Sequence, residues 1–311
     1  MALIDRAGTT ALIPEDAAHE IIKAVTEESA LLRLGKKRAG MTRKQQRIPM
    51  LNSKPTATFV NGDTGLKAVD DIDWTSIYLN AEPIAVVVPI SEEVAEDADY
   101  DLETELMPEI VEAFGVAIDA AMLHGTNKPS TWPTAIVPGA LAASNTAVTS
   151  SFTDIYDAVM GDNGAISMVE QDGYMVNGHV AGPRFRGKLR GLRSTEGIPI
   201  FTPDMTRPSE YLLDGQPIYF PRNGAFNSAT VDFVTGDWDQ LQYSLRSDIT
   251  MKLFTEGVIT DESGNVLLNL MQQDSYALRF LMRIAFVITN PVNRLNANST
   301  TRYPFATLTV S

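Results

Sequence analysis

Residues 91–125 are the one stretch of this chain whose pattern commits to a single secondary structure over its whole length. Apolar residues recur there at intervals of four, which places them on one face of an α-helix. They are Leu102, Leu106, Ile110, Phe114, Ile118 and Met122. Asp101 is placed to cap the first turn and Gly125 to end the helix, while Pro108 predicts a kink or a separate first turn. At 1.5 Å per residue the helix spans roughly 35 Å, long enough to support a whole domain.

The composition indicates a folded chain with a sizeable core. Its 311 residues are 44% apolar and 21% charged, which suits one large domain or two ordinary ones. The sequence has no cysteine, which excludes disulfides, thiol nucleophiles and thiolate zinc sites. It has no apolar run long enough to cross a membrane and no signal-peptide pattern, so neither a membrane partner nor export is expected.

The charges are unevenly distributed along the chain. With 25 basic and 39 acidic residues, the formal net charge is −14, which repels nucleic acid on average. The cations are nevertheless concentrated in two places. The first, which we call the basic segment, contains Lys36, Lys37, Arg38, Arg43, Lys44 and Arg47. The second contains Arg184, Arg186, Lys188, Arg190 and Arg193. For the second, a surface helix paired with acidic neighbours is favoured over a nucleic-acid groove.

Residues 41–82 have the pattern of an extended β-hairpin, which we call the long hairpin. Strand-like runs at 47–60 and 72–79 flank turn residues at 61–65. At ~3.3 Å per residue the long hairpin would reach roughly 35–40 Å, and a lone hairpin of that length needs cover from elsewhere. Its returning side carries the carboxylates of Asp63, Asp70, Asp71 and Asp73. Their partners in the basic segment lie either within the same hairpin or across a contact between subunits, and the sequence leaves both alternatives open.

Shorter elements surround the long helix. Residues 82–89 predict a buried strand leading into it, and 126–150, rich in Pro, Ala, Ser and Thr, predict a long surface connector. The chain then predicts a helix at 152–160, a short buried strand at 174–176 and a basic helix at 183–192. This alternation indicates an α/β unit.

The last third of the chain changes character. Residues 243–254 and 275–289 predict two long strands, separated by a turn at 261–265. Residues 272–282 also fit a helix, and the sequence does not decide between the two. Residues 302–310 predict a final strand.

We find no catalytic, cofactor or metal site in the sequence. His19, His124 and His179 fall in different predicted elements, without the spacing of metal ligands. The motifs of nucleotide, dinucleotide and serine-hydrolase sites do not occur. Carboxylates on the long helix are spread over an exposed face, which favours a solvated surface over an acid–base pair. We therefore expect no enzyme activity and no cofactor.

Taken in order, these elements resemble the major capsid proteins of tailed bacteriophages, the HK-ninety-seven-like fold family. Individual stretches also look familiar, although each one alone is a weak signal. They are 183–197 with Ile198-Pro199-Ile200-Phe201, then Gly215-Gln216-Pro217-Ile218, then Gly236-Asp237-Trp238 before 243–254, and finally 274–291. The resemblance covers nearly the whole chain, and it rests on the order of the parts.

The resemblance implies an α+β fold in six parts. They are an N-terminal arm with a short helix (1–40), the long hairpin or E-loop (41–82), a peripheral domain with a spine helix (83–130), an axial domain (131–238), the long strands and tip of the peripheral domain (239–292), and a segment that returns to the axial domain (293–311).

The implied function is structural. Copies would form hexamers and pentamers that close into an icosahedral shell around double-stranded DNA, without sequence-specific binding. The protein would assemble in the host cytoplasm and end in the virion, with separate scaffolding and portal proteins as partners and with room for cement proteins. The residues expected at contacts between subunits are Lys36, Lys37, Arg38, Arg43, Lys44, Arg47, Asp63, Lys67, Asp70, Asp71, Asp73 and Trp74.

Two alternatives and one modification stay open at this point. An encapsulin-type compartment shares the fold, and a soluble α/β enzyme with an unrecognised site belongs to another class. Some family members crosslink an E-loop lysine to an asparagine of a neighbour. Lys67 with Asn290 or Asn293 would be the candidates here, but no motif supports the match.

Overall fold

The computed structural model describes residues 29–60, 66–67, 69–93, 102–193, 212–227, 229–261 and 263–310, without the side chains of 102–105 and 248. Its helices are α1 (Ala30–Leu34), α2 (Leu102–Leu123), α3 (Ile136–Ala142), α4 (Ile155–Met160), α5 (Ala165–Gln171) and α6 (Pro183–Gly191). Its strands are β1 (Lys36–Lys37), β2 (Gln45–Leu51), β3 (Trp74–Asn80), β4 (Glu82–Ser91), β5 (Thr146–Val148), β6 (Gly178–Ala181), β7 (Leu212–Leu213), β8 (Gln216–Tyr219), β9 (Val231–Gly236), β10 (Leu241–Phe254), β11 (Val258–Thr260), β12 (Val266–Asn269), β13 (Ser275–Ile288) and β14 (Phe305–Thr309). Several sequence predictions lie outside these residues, namely those for 1–28, the hairpin turn at 61–65 with Asp63, the cap Asp101, and 198–201.

The predicted long helix is confirmed as α2, which runs through Pro108 without interruption. Ile110, Phe114, Ile118 and Met122 are all buried, as their spacing of four requires. Gly125 adopts a positive φ of 78°, a conformation that glycine tolerates at a helix end. In the described part of the chain, neither this helix nor any shorter one has the length and hydropathy needed to cross a membrane.

One face of α2 packs on a four-stranded sheet with the order β1-β10-β13-β4. The two predicted long strands are confirmed as β10 and β13, each of fourteen residues, which pair antiparallel from Leu241 with Ile288 to Phe254 with Ala277. The helical alternative for 272–282 is therefore wrong. Beyond their ends, β11 and β12 form a small hairpin, and Asp261 orders its turn by accepting the amides of Ser263 and Asn265.

The prediction of a fully buried strand at 82–89 is wrong, because strand β4 is not buried on both faces. It lies at the edge of the sheet, and its side chains alternate between the α2 side and solvent. Pro83 and Pro89 are exposed near its two ends. Proline lacks an amide donor, so it discourages a further strand from pairing with this edge.

The second sheet and its helices form what we call the axial unit, residues 136–193, 212–236 and 305–309. Its six strands have the order β5-β14-β9-β6-β8-β7. Alternate residues of β9 face opposite ways: Val234 belongs to the core around α2, whereas Phe233 belongs to a second core with α4, α5 and α6. Trp238 joins the two sheets, because its indole donates to the Gly178 carbonyl at 2.8 Å and packs edge-on against Phe305.

Two further predictions for the middle of the chain are wrong. Residues 126–150 are not a surface connector, since they contain α3 and β5 with buried Trp132, Ile136 and Ala140. The alanine-rich composition of this segment did not indicate a core, because alanine occurs both in protein interiors and on surfaces. The short buried strand expected at 174–176 lies instead at β6, four residues later.

The buried imidazole of His179 makes the stability of the axial unit depend on pH. Its ring stacks on Phe233, and its nitrogens lie 2.9 Å from Thr235 Oγ1 and 3.1 Å from the Leu213 carbonyl. Burial lowers the pKa of His179 to about 4. The unfolded chain, with an ordinary histidine pKa near 6.5, therefore binds the proton more readily, and stability is lost as the pH falls from about 6.5 to about 4.

We predict that the His179→Gln variant lacks this component of acid destabilisation. Wild type should lose up to about 3 kcal/mol more than the variant between pH 7 and pH 4, at about 1.4 kcal/mol per pH unit. Chemical denaturation of both chains at several pH values measures the difference. Parallel pH profiles for the two chains would contradict the assignment.

Candidate assembly surfaces

A buried carboxylate fixes the first described residues against α2. Asp119 Oδ1 accepts the hydroxyl of Ser29 at 2.6 Å and the amide of Leu31 at 3.3 Å. Its Oδ2 accepts the amide of Ala30 at 3.2 Å and the side-chain amide of Asn223 at 2.9 Å. Burial raises the pKa of Asp119, and these donors oppose the rise. We call these hydrogen bonds the Asp119 clip. Sequence patterns did not predict it, since its only signal is a carboxylate directly after Ile118 in the apolar stripe.

The clip positions α1, and α1 leads directly into the basic segment. Lys36 and Lys37 form β1, which pairs with β10 at the edge of the four-stranded sheet, and both side chains are exposed. Arg38 donates to the side chain of Gln242 at 2.6 Å. The first half of the basic segment is therefore held on the sheet with two lysines facing solvent.

The second half of the basic segment runs into the long hairpin. The Lys44 Nζ lies 3.4 Å from Glu82 Oε1 in an ion pair. The Arg47 Nε donates to the Ser76 hydroxyl at 2.6 Å. Arg43 is exposed and makes no ion pair with any described residue. Two of the three cations thus brace the base of the hairpin, and the third is available to a partner.

The carboxylates of the returning side bond to their own hairpin rather than to the basic segment. Asp70 accepts the Thr56 amide at 2.6 Å, which lowers the pKa of Asp70. Asp73 accepts the Asn52 side chain at 2.7 Å, and Asp71 accepts the next amide along the chain. Within the described residues, no ion pair joins these carboxylates to the basic segment. The charge pairing inside the hairpin, one of the two alternatives, is therefore not observed.

The base of the long hairpin is anchored to the sheet. Strands β2 and β3 pair antiparallel over seven residues, from Gln45 with Asn80 to Leu51 with Trp74. Leu79 and Ile48 are buried there against Ala285 and Val287 of β13. The strand pairing in the described part of the hairpin is thus shorter than the sequence predicted.

Beyond this base, the described residues of the hairpin form no core. Phe59, Leu66 and Val69 are fully exposed, and Trp74 retains 65% of its exposure. Lys67 is also exposed. The one hydrogen bond that we find between the distal hairpin and the described remainder of the chain joins Arg294 to the Pro55 carbonyl at 2.7 Å. An apolar surface of this kind is typical of a segment that is buried by a partner.

An open groove of about 740 Å³ lies beside the outer face of α2. Its floor is apolar, and its rim carries the carboxylates of Glu82, Glu109 and Glu112. The floor is formed by Ile84, Ala113, Val116, Ala117, Trp132 and Ile284. Small side chains on α2 keep the groove open, so it is shaped to receive apolar side chains from another segment.

The two asparagines considered for crosslinking are engaged within the subunit. Asn290 donates to the Arg302 carbonyl at 2.6 Å and accepts the Tyr174 hydroxyl at 2.7 Å. Asn293 donates to the Asp172 carbonyl at 2.6 Å. Both side chains therefore have a structural use at the junction with the axial unit.

Comparisons with known proteins match this arrangement along almost the whole chain. The family model described as "Phage capsid family" matches residues 9–293. The major capsid protein of Staphylococcus phage 80alpha is 25% identical over 277 residues, which is 87% of this chain and 79% of the relative. That of Klebsiella oxytoca phage phiKO2 is 23% identical over 287 residues, and the match spans 61% of its length.

Solved structures of chains from phages are also similar to this chain over its whole length. A chain from Microbacterium phage Oxtober96 is 33% identical, with a TM-score of 0.79 and full coverage of both chains. A chain from Mycobacterium phage Bobi is 27% identical, with a TM-score of 0.78 over 100% of this chain and 99% of that one. The capsid of a native GTA particle, at 13% identity and a TM-score of 0.65, shares the fold.

For the Asp119 clip we predict a measurable loss of stability in the Asp119→Ala variant. Removing the carboxylate leaves buried donors at Ser29, Ala30 and Leu31 without an acceptor, which should cost about 1–3 kcal/mol. Asp119→Asn keeps one acceptor oxygen and should lose less. Chemical denaturation gives the totals, and hydrogen exchange at the amides of Ala30–Leu34 locates the effect. An alanine variant as stable as wild type would show that the clip does not hold α1.

Proposed function

The chain belongs to the phage capsid family, and we propose that its copies form hexamers and pentamers that close into an icosahedral shell around double-stranded DNA. As a major capsid protein of a tailed phage, it has the HK-ninety-seven-like α+β fold and a structural function in the virion. The proposal includes assembly in the host cytoplasm, separate scaffolding and portal proteins, and no catalytic step.

The observation that carries the proposal is the uncovered distal part of the long hairpin. Burying side chains such as Phe59, Leu66 and Val69 is worth about 1.5–3 kcal/mol each, and the subunit leaves all three in water. A neighbouring copy of the chain can bury these side chains, and in a homo-oligomer there is one such neighbour for every hairpin. In our proposal the long hairpin lies on the next subunit and supplies most of the apolar contact.

The groove beside α2 is the acceptor that we propose for this hairpin. Its apolar floor suits the exposed apolar side chains, and its Glu109 and Glu112 rim suits the cations Lys54 and Lys67 of the hairpin. Among the described residues, Glu82 is the one rim carboxylate already in an ion pair, with Lys44. The occupant therefore combines apolar and basic residues, as the long hairpin does.

The charged residues predicted at subunit contacts fit the same arrangement. Lys36, Lys37 and Arg43 face solvent, and within the described residues they form no ion pair. In the proposed shell they meet carboxylates of a neighbour, with the other members of the basic segment and Asp70, Asp71, Asp73 and Trp74 close by. The net charge of −14 keeps packaged DNA from adhering to the wall, so DNA is enclosed without specific binding.

The comparisons favour this function over the two alternatives considered from the sequence. The named relatives and neighbours come from phages or from a GTA particle. An enzyme would elute from gel filtration as a small oligomer, whereas a shell protein elutes as capsomers or at the size of particles. Electron microscopy of purified particles separates these outcomes directly.

We predict that deletion of residues 61–70 abolishes assembly. The deletion removes the end of the hairpin with Leu66 and Val69, and it leaves intact the base, where Leu79 packs against β13. Sedimentation should then show free subunits in place of particles, with unchanged thermal unfolding. The triple variant Phe59→Ser, Leu66→Ser, Val69→Ser keeps the length and should also fail, because each serine removes about 1.5–3 kcal/mol of burial. Normal particle yield from both variants would refute the hairpin contact.

A second prediction concerns the groove. Ala113→Trp should fill its floor and lower the particle yield by about tenfold or more, because overfilling a packed contact costs about 1–3 kcal/mol. Ala113→Ser, which adds little volume, is the matched control and should assemble normally. Both variants should unfold at the wild-type temperature, since Ala113 is exposed in the subunit. Equal particle yields from the two variants would exclude the groove as an acceptor.

A further inference from the structure

Helix α6 presents a basic surface whose charges are only partly used inside the subunit. Phe185 and Leu189 are buried in the second core, which fixes the orientation of the helix. Arg184 and Arg190 are exposed on the outer side, and within the described part of the chain their guanidinium groups form no ion pair. Arg193 donates to two carbonyls at the helix end, at 2.8 and 3.1 Å, and is also exposed. We call these three arginines the basic face.

Pairing with acidic neighbours explains one cation of this helix. Lys188 forms an ion pair with the buried carboxylate of Asp232. The expectation of a surface helix paired with acidic residues therefore holds for Lys188, and it leaves the basic face unexplained.

Two glycines make the outer side of α6 flat. Gly187 and Gly191 are exposed, and a Cβ added at either would meet no atom within 4 Å. Among the described residues, no contact requires glycine at these positions, and glycine is a poor helix former. Glycine does allow another surface to approach the helix backbone closely. Flatness and positive charge thus occur together on one side of the helix.

The same axial unit carries exposed carboxylates in and beside α4 and α5: Asp154 precedes α4, Asp157 lies in α4, Asp162 lies between the two helices and Glu170 lies in α5. We call these four carboxylates the acidic face. Among the described residues, none of these side chains accepts a hydrogen bond or forms an ion pair. Helix α4 packs near α6, yet no ion pair bridges the basic and acidic faces within the subunit.

We propose that the basic face of α6 binds the acidic face on a neighbouring copy of this chain. Two different, complementary surfaces on one subunit give a head-to-tail contact, and such contacts close into rings when the rotation allows. This inference rests on the proposed function, because it names the contact between axial units within hexamers and pentamers. A nucleic-acid partner is less favoured, since the net charge of −14 repels phosphate.

Charge reversal tests the contact on the full chain. The variant Arg184→Glu, Arg190→Glu and the variant Asp157→Lys, Asp162→Lys should each lower the particle yield at low salt by about tenfold, because like charges then face each other. The fourfold variant restores opposite charges across the contact and should recover the yield. The control Arg222→Glu, Lys252→Glu makes the same change of charge away from α6 and should assemble normally. Thermal unfolding of the free subunits should not change in any of them.

Gly187→Leu tests the close approach independently. Leucine favours a helix more than glycine does, so the free subunit should be at least as stable as wild type. The yield of particles should nevertheless fall, because the side chain stands between the two surfaces. A variant that assembles normally would show that nothing packs on this side of α6.

Three results would overturn the inference. The first is normal assembly of both charge-reversed pairs, and the second is failure of the fourfold variant to recover. The third is a normal particle yield with reduced DNA content in Arg184→Glu, Arg190→Glu, which would assign the face to nucleic acid. The 61–70 deletion separates this inference from the proposed function: if the deletion blocks assembly while the charge variants do not, only the α6 contact is wrong.

Discussion

The apolar face of α2 is the interaction on which the rest of the structure depends. Phe114, Ile118 and Met122 are completely shielded from solvent, and the cluster around them includes Phe280 of the four-stranded sheet and Phe305 of the six-stranded one. A single core therefore holds two sheets of different topology. Hydrophobic burial is non-directional, so the relative placement of the sheets is set by polar contacts at the margin of this core. The indole of Trp238 on the Gly178 carbonyl and the carboxylate of Asp119 on α1 are two such contacts.

The extent of that core decides where the chain requires a partner. Trp132 closes it at one end, donating to the Asn80 carbonyl at 2.9 Å and packing edge-on against Phe286. The base of the long hairpin is thereby fixed, and a small cluster around Leu79 completes it. Past Leu51 and Trp74 no described element comes close enough to form a further core. A segment that starts from a rigid base and ends without cover is positioned to contact another subunit in a defined direction.

Sequence patterns predicted the helices and strands that depend mainly on residues close together in the chain. Spacing alone identified α2. The apolar runs predicted β10 with the tip turn, and they predicted β13 with a helical alternative left open for 272–282. Features that depend on distant residues were not predictable. Whether β4 is central or at an edge depends on which strand pairs with it, and the core contribution of Trp132 and Ile136 depends on a partner surface. Asp119 is a lone carboxylate in a stripe, and only the fold brings Ser29 and Asn223 to it. The order of the elements, by contrast, was enough to indicate the family.

The two kinds of exposed surface suit different requirements of a closed shell. In the proposed shell, apolar contact between the long hairpin and the α2 groove would provide strength, but burial alone sets no angle between subunits. In the contact that we propose between axial units, complementary charges would provide direction, because reversing the order of the subunits would bring like charges together. Solvated ion pairs are individually weak and tolerate small changes in geometry. In the proposed shell the chain occupies both hexamers and pentamers, so it would meet its neighbours at more than one angle. Such a chain benefits from strong contacts on a long hairpin and adaptable charged contacts near the ring axis.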